Sequence, residues 1–347
     1  MLSAAMPPEP TPYEGIGRCG CLSRATAGPR ATPDGQAAYE REWVVRGVRH
    51  HRQMAATQAP PTYLERLRSD LDLIEAGFLK VLADSQIRNV DPNRRSSAMV
   101  YFGAAKWGWV PSGPELETRR MELLGRVREW EPLFRLLFPH PTPEVTKRLD
   151  GTLALLQRWL VRPRDTSVPA TIDKAVDKVK AAVATLRKLG ELLPDDAWAV
   201  RVAVDTNMLL DDPDVAIYTP LLGNRYMVHL LPVVLRELDD HKLAGRNPDI
   251  RDAAKKADRR LKGLRTNGDV LRGVRVAGDV HAVFEHIEPK GDGLPNWLDL
   301  DVPDDRFVAS TLLLQSRHPG SAVYVATRDI NLQTKLAAVG LPFIEKP

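Results

Sequence analysis

Four acidic positions in this sequence, Asp205, Glu237, the pair Asp304-Asp305 and Asp329, stand where a carboxylate needs a reason. Asp205 ends the apolar run Val202-Ala203-Val204 and is followed by Thr206, Asn207 and a new apolar face. A buried carboxylate at a strand end is costly unless it is paired or put to use. Glu237 and Asp240 interrupt a helix that Pro232 can start, whose apolar side is Val233, Val234 and Leu238. Asp304 and Asp305 precede another helix, where the dipole and unpaired N–H groups favour acids, although capping requires only one of them. Asp329 follows the strand Val323-Tyr324-Val325-Ala326 and has Asn331 two residues on, the same order as Asp205 and Asn207. In a parallel α/β sheet ligands enter at the carboxyl ends of the strands, so Asp205 and Asp329 are expected side by side at that edge.

The elements able to position these acids begin after the turn Leu193-Pro194-Asp195-Asp196. Residues 197–347 read as short apolar runs alternating with helical patterns, the signature of βαβ units. Strands are expected at Arg201–Val204, Tyr226–Leu230, Val274–Ala277, Ala322–Ala326 and Pro342–Ile344. Helices are expected at Val233–Lys242, Asp249–Arg265, Asp304–Arg317 and Ile330–Val339.

Residues 61–196 read as an all-helical domain. Thr62 and Glu65 match a capping box, and Leu64, Leu67, Leu71, Ile74, Phe78 and Leu82 then recur at helical spacing. Further helices are expected at Glu115–Phe138, Pro143–Val161 and Ile172–Leu192. Trp107 and Trp109, which flank Gly108, are expected to anchor a loop by packing, with base stacking as the alternative. Lys174, Lys178, Lys180, Arg187 and Lys188 lie opposite an apolar stripe and read as a solvated face, with nucleic-acid contact as the alternative. Residues 1–60 are proline-rich and poor in apolar periodicity, which predicts a mostly disordered tail with a short helix around Ala37–Val48. Cys19, Cys21 and the pair His50-His51 in that tail lack the companions a zinc site needs.

Composition sets wider bounds. A chain of 347 residues has room for two cores, and no apolar run approaches the roughly 18–20 residues needed to cross a bilayer. Without a secretory pattern at its start, the chain is expected in the cytoplasm. The net charge of +4 is too small to announce a nucleic-acid binder, but its distribution is uneven. Residues 242–275 hold 11 Lys plus Arg against four Asp, a basic segment beside acids.

The ordered acids and their surroundings resemble the PIN-domain family of metal-dependent ribonucleases over about residues 200–347. The matching residues are Asp205-Thr206-Asn207 after a strand, Glu237-Leu238-Asp239 on a helix, Asp305-Arg306-Phe307-Val308-Ala309, and Thr327-Arg328-Asp329-Ile330-Asn331. Each motif alone is weak, and the four in order are strong. The resemblance implies an α/β fold, a parallel sheet flanked by helices, here preceded by the helical domain and the tail. It also implies Mg²⁺ or Mn²⁺ as cofactor and endonucleolytic cleavage of single-stranded or loop RNA.

Carried over residue by residue, the catalytic and metal-holding set is Asp205, Glu237, Asp305 and Asp329, supported by Thr206, Asn207 and Thr327, with Asn207 holding the turn. The third acid falls on Asp304 or Asp305, and Asp305 is preferred because Phe307-Val308-Ala309 fits the family's spacing. Acids suit the role because Mg²⁺ takes oxygen ligands and keeps several waters; whether one ion or two are used stays open. The basic segment supplies candidate substrate contacts at Arg251, Lys255, Arg259 and Lys262, and the helical half is a candidate surface for a protein partner or a second copy. The alternative function is a PIN-like scaffold that binds RNA or protein without cutting. A phosphatase with an aspartate nucleophile ranks low, because it wants a second Asp where Asn207 stands. Toxins of this family are little more than the PIN domain, which sets the long helical half apart.

Overall fold

The computed structural model describes residues 61–90, 106–163, 168–244, 247–291 and 293–346, so the expectations for residues 1–60 lie outside the described residues. Four helices form the first part: α1 (Tyr63–Ala83), α2 (Pro114–Arg135), α3 (Pro143–Val161) and α4 (Ile172–Gly190). The expected capping box starts α1: Glu65 N donates to Thr62 Oγ1 at 3.2 Å and Thr62 N donates to Glu65 Oε2 at 2.7 Å. Thr62→Ala is expected to lower stability by about 1 kcal/mol, read as a lower urea midpoint at unchanged slope.

Leu67, Leu71 and Phe78 of α1 meet Val127 and Trp130 of α2, Leu156 and Trp159 of α3, and Val183 and Leu186 of α4 in one apolar core. Arg187 of α4 reaches Asp72 and Glu75 of α1 at 2.6 and 2.7 Å, so this member of the basic face pins two helices together. One feature departs from the all-helical expectation. Strands β1 (Ile87–Asn89) and β2 (Trp107–Trp109) pair antiparallel, and runs of three residues carry no periodicity to read. Trp109 packs edge-on against Trp159, with centroids 5.7 Å apart, beneath the Arg162 guanidinium at 4.3 Å. Its aromatic face therefore serves packing.

The second part is a six-stranded sheet in the order β5-β6-β4-β3-β7-β8. Its strands are β3 (Val200–Val204), β4 (Met227–Leu230), β5 (Val274–Ala277), β6 (Val280–Phe284), β7 (Ala322–Ala326) and β8 (Phe343–Ile344). All neighbours run parallel except the β5–β6 hairpin at one edge. The helices are α5 (Thr206–Asp211), α6 (Thr219–Leu222), α7 (Pro232–Ala244), α8 (Pro248–Leu264), α9 (Pro303–Arg317) and α10 (Ile330–Ala338). Val202–Val204 and Ala322–Ala326 are buried throughout, as expected of central parallel strands covered on both faces. Sequence periodicity missed β6, because His281 breaks its apolar run, and missed α5 and α6, which are too short to show a stripe.

A buried polar network holds the chain leading into β3. Arg201 bonds Asp196 Oδ1 at 2.6 Å and donates to Ser321 Oγ at 3.0 Å and to His229 Nε2 at 3.1 Å. His229 in turn donates from Nδ1 to Glu285 Oε1 at 2.8 Å. Burial pushes the His229 imidazole down to about 4, which keeps it neutral, while the Arg201 donor at Nε2 and the Glu285 acceptor at Nδ1 set that tautomer. Across from this network, α1 meets the loop before β7: Leu64 N donates to Pro319 O at 3.0 Å and Tyr63 N to Ser321 O at 3.3 Å. Among the described residues no helix is long and apolar enough to cross a membrane.

Candidate active site

Strand order changes direction between β3 and β7: the chain moves from β3 to β4 and β6 on one side, and from β7 to β8 on the other. Such a switch point opens a crevice beyond the carboxyl ends of the two strands. Register places Val204 opposite Ala326, and Asp205 N continues the ladder to Ala326 O at 3.0 Å. Asp205 and Thr327 therefore emerge together at the floor of that crevice. A cleft of about 280 Å³ lies there, lined by Asp205, Thr206, Asn207, Glu237, Asp240, His241, Asp304, Asp329 and Leu332.

Two threonines orient the acids. The buried Thr327 hydroxyl donates to Asp205 Oδ2 at 3.0 Å and accepts from Asp329 N at 3.1 Å, which ties the two strand-end acids through one oxygen. Thr206 donates to Glu237 Oε2. Asp329 also caps α10, its Oδ1 accepting from Asn331 N and Leu332 N at 2.7 and 3.1 Å. One carboxylate thus sets the helix start while lining the cleft. Glu237, Asp240 and His241 share a face of α7 because residues three and four apart align on a helix.

Electrostatics follow from this crowding. Burial, together with the charges of Glu237 and Asp329, pushes the Asp205 carboxyl up to about 6 against the hydrogen bonds from Thr327 and Thr206. Glu237 is raised as well, by burial first and then by Asp304 and Asp240, with His241 opposing. Oxygen donors held at such cost are the set a hard divalent cation relieves. Among the described residues no three acid, His or Cys side chains converge as tightly as direct ligands of one ion. An open cleft of this size suits an ion that keeps part of its water shell, as Mg²⁺ does.

The structure brings Asp205, Glu237 and Asp329 together, with Thr206, Asn207 and Thr327 beside them, and places Asp304 in the lining instead of Asp305. Asp305 is 7% exposed and turned aside: Oδ2 accepts from Asp299 N at 2.9 Å and Oδ1 pairs with Lys335 Nζ at 2.7 Å. Burial alone would raise its pKa, but these contacts hold it below the usual carboxylate range. Asn207 lines the cleft and does not hold the turn, which Asp205 O makes by accepting from Met208 N and Leu209 N at 3.1 and 3.3 Å. Lys255, Arg259 and Lys262 lie exposed on α8 and Arg251 is half-buried there, all outside the cleft lining. Lys255 pairs with Asp252 at 3.0 Å, and Lys262 with Asp258 at 2.8 Å. Asp240 and His241 were legible only as companions of Glu237 on one helical face, three and four residues on.

The family model for the PIN domain matches residues 202–345, the stretch that supplies the whole cleft. PIN domains are in general nucleases. No curated protein matches the chain.

Proposed function

We propose that the chain, through the PIN domain at residues 202–345, is a metal-dependent endoribonuclease acting on single-stranded or loop RNA in the cytoplasm. The observation that carries this reading is the cleft at the β3/β7 switch point, where Asp205, Glu237, Asp304 and Asp329 converge with a raised Asp205 carboxyl. Bound there, Mg²⁺ or Mn²⁺ supplies polarisation of the phosphodiester and acidification of water. Asp205, Glu237, Asp304 and Asp329 hold the ion, directly or through its waters. Thr327 and Thr206 keep the Asp205 and Glu237 oxygens aimed into the cleft. Residues 61–196 act as a helical module that positions substrate or docks a protein or a second copy, and the exposed cations of α8, Lys255, Arg259 and Lys262, extend a phosphate track away from the cleft.

The test is cleavage of a labelled single-stranded RNA with Mg²⁺, Mn²⁺ or EDTA, using substitutions at the two adjacent acids. Asp304→Asn is expected to cut cleavage by at least about 10–100-fold, the scale of losing a group that supports a metal, whereas Asp305→Asn acts chiefly by destabilising the fold. Equal loss in both variants at matched folded fraction would reinstate Asp305 as the ligand. No cutting and no Mn²⁺ binding heat in the wild type would favour a non-cleaving scaffold.

A further inference from the structure

Lys335 belongs to none of the motifs above. It sits on α10, six residues after Asp329, and its Nζ stands 2.7 Å from Asp305 Oδ1 and 3.3 Å from Asp304 Oδ2. The two consecutive acids are treated in opposite ways. Asp305 is buried, paired with Lys335 and bonded by Asp299 N, while the Asp304 side chain stays 39% exposed and lines the cleft. Both belong to the first turn of α9 and both face Lys335, but consecutive helical positions project about 100° apart, and Asp305 takes the shorter Lys335 contact and the Asp299 N bond while Asp304 keeps the cleft.

We propose that Lys335 is a positioning residue that selects which of the two acids serves the cation: by holding Asp305 inside the packing it leaves Asp304 to face the cleft. This rests on the reading of the cleft as a cation site. The physical argument is the asymmetry of buried charge. A buried carboxylate with a cationic partner is tolerated, and the same carboxylate without one is expelled toward water. The cleft lined by the adjacent Asp304 is the space this proposal gives it. Loss of the lysine therefore both frees a second acid for the site and removes a positive charge from its flank, and each effect strengthens cation binding.

The experiment is a calorimetric Mn²⁺ titration of the full chain as wild type, Lys335→Gln, Asp304→Asn and the double variant, with a metal-free crystal structure of Lys335→Gln. Lys335→Gln is expected to bind Mn²⁺ about tenfold more tightly. Asp304→Asn is expected to weaken binding by at least about tenfold in the wild-type background and by little in the Lys335→Gln background, where Asp305 takes its place. Lys335→Arg keeps charge and reach and should match wild type, while Lys335→Met, which keeps the stem without the charge, carries the titration if Lys335→Gln melts too low to handle. A merely structural lysine would leave the Asp304→Asn penalty the same in both backgrounds, and that result overturns the inference. Absence of Mn²⁺ binding in the wild type sinks the cation reading instead. In that case the crystal decides: Asp305 turned into the cleft supports selection by Lys335, and Asp305 still on Asp299 N overturns it.

Discussion

Asp205→Asn is expected to abolish cation-dependent cutting and, in the same protein without metal, to raise the melting temperature by roughly 5 °C at pH 7.5. The two effects share one cause. The wild-type carboxyl is pushed up to about 6 in the fold against 3.8 for an unperturbed aspartate, so ionised Asp205 costs the native state about 2–3 kcal/mol above pH 6. The sign follows from proton counting. Between about pH 4 and 6 the folded protein binds more protons at this site than the unfolded chain, so stability falls as pH rises through that window. Asparagine keeps an oxygen to accept from Thr327 while carrying no charge. The advantage of Asp205→Asn should therefore be full above pH 6 and vanish near pH 4, which melts across pH in EDTA will read directly. A lower melting temperature at every pH would mean that burial and the neighbouring acids do not penalise ionised Asp205.

The largest stability change is expected from Arg201→Met, at about 3–5 kcal/mol or a fall of roughly 10 °C. Arg201 and Asp196 are 6% and 5% exposed, so removing the cation strands a carboxylate away from water. Burial by itself would raise the Asp196 pKa, but the bonds from His318 and Arg201 hold it well below the usual carboxylate range. A carboxyl with a depressed folded pKa stabilises above its unfolded value, so the deficit of Arg201→Met is present at neutral pH and fades as pH falls below about 4. Arg201→Met with Asp196→Leu should recover part of the loss, because replacing both members of a buried pair is far milder than orphaning one. A double variant no better than the single would show that His229 and Ser321, the other partners of Arg201, carry the cost.

Long elements and the strand-end acids were legible in the sequence because each has a local cause. The Thr62–Glu65 box, the apolar stripe of α1 and the repeated strand, acid, Asn order at Asp205 and Asp329 are set by neighbours within a few residues. What stayed illegible depends on partners far along the chain. The surroundings of Asp304 and Asp305 are set by contacts with Lys335, thirty-one and thirty residues away, and with the amide of Asp299. Spacing to Phe307-Val308-Ala309 favoured Asp305, yet it reports only where the helix begins. The four basic residues on α8 lie outside the cleft lining for a related reason: a charge count locates cations along the chain without saying which way the helix is turned. Arg201 read as the edge of an apolar strand, and only the fold reveals the acid and histidine that make it affordable there.

A helix ordinarily leaves its first amides to its own cap or to water, but α1 hands two of them to the carbonyls of Pro319 and Ser321. Those carbonyls belong to the loop that launches β7, the strand that leads to Thr327 and the cleft. The extent of the family's sequence pattern, 202–345, is thus narrower than the set of residues that finishes its hydrogen bonding. A fragment cut at residue 197 would begin with a strand whose pinning acid, Asp196, is missing and would leave a loop whose acceptors have lost their donors. The unit that packs together in this protein is longer than the stretch by which it is recognised.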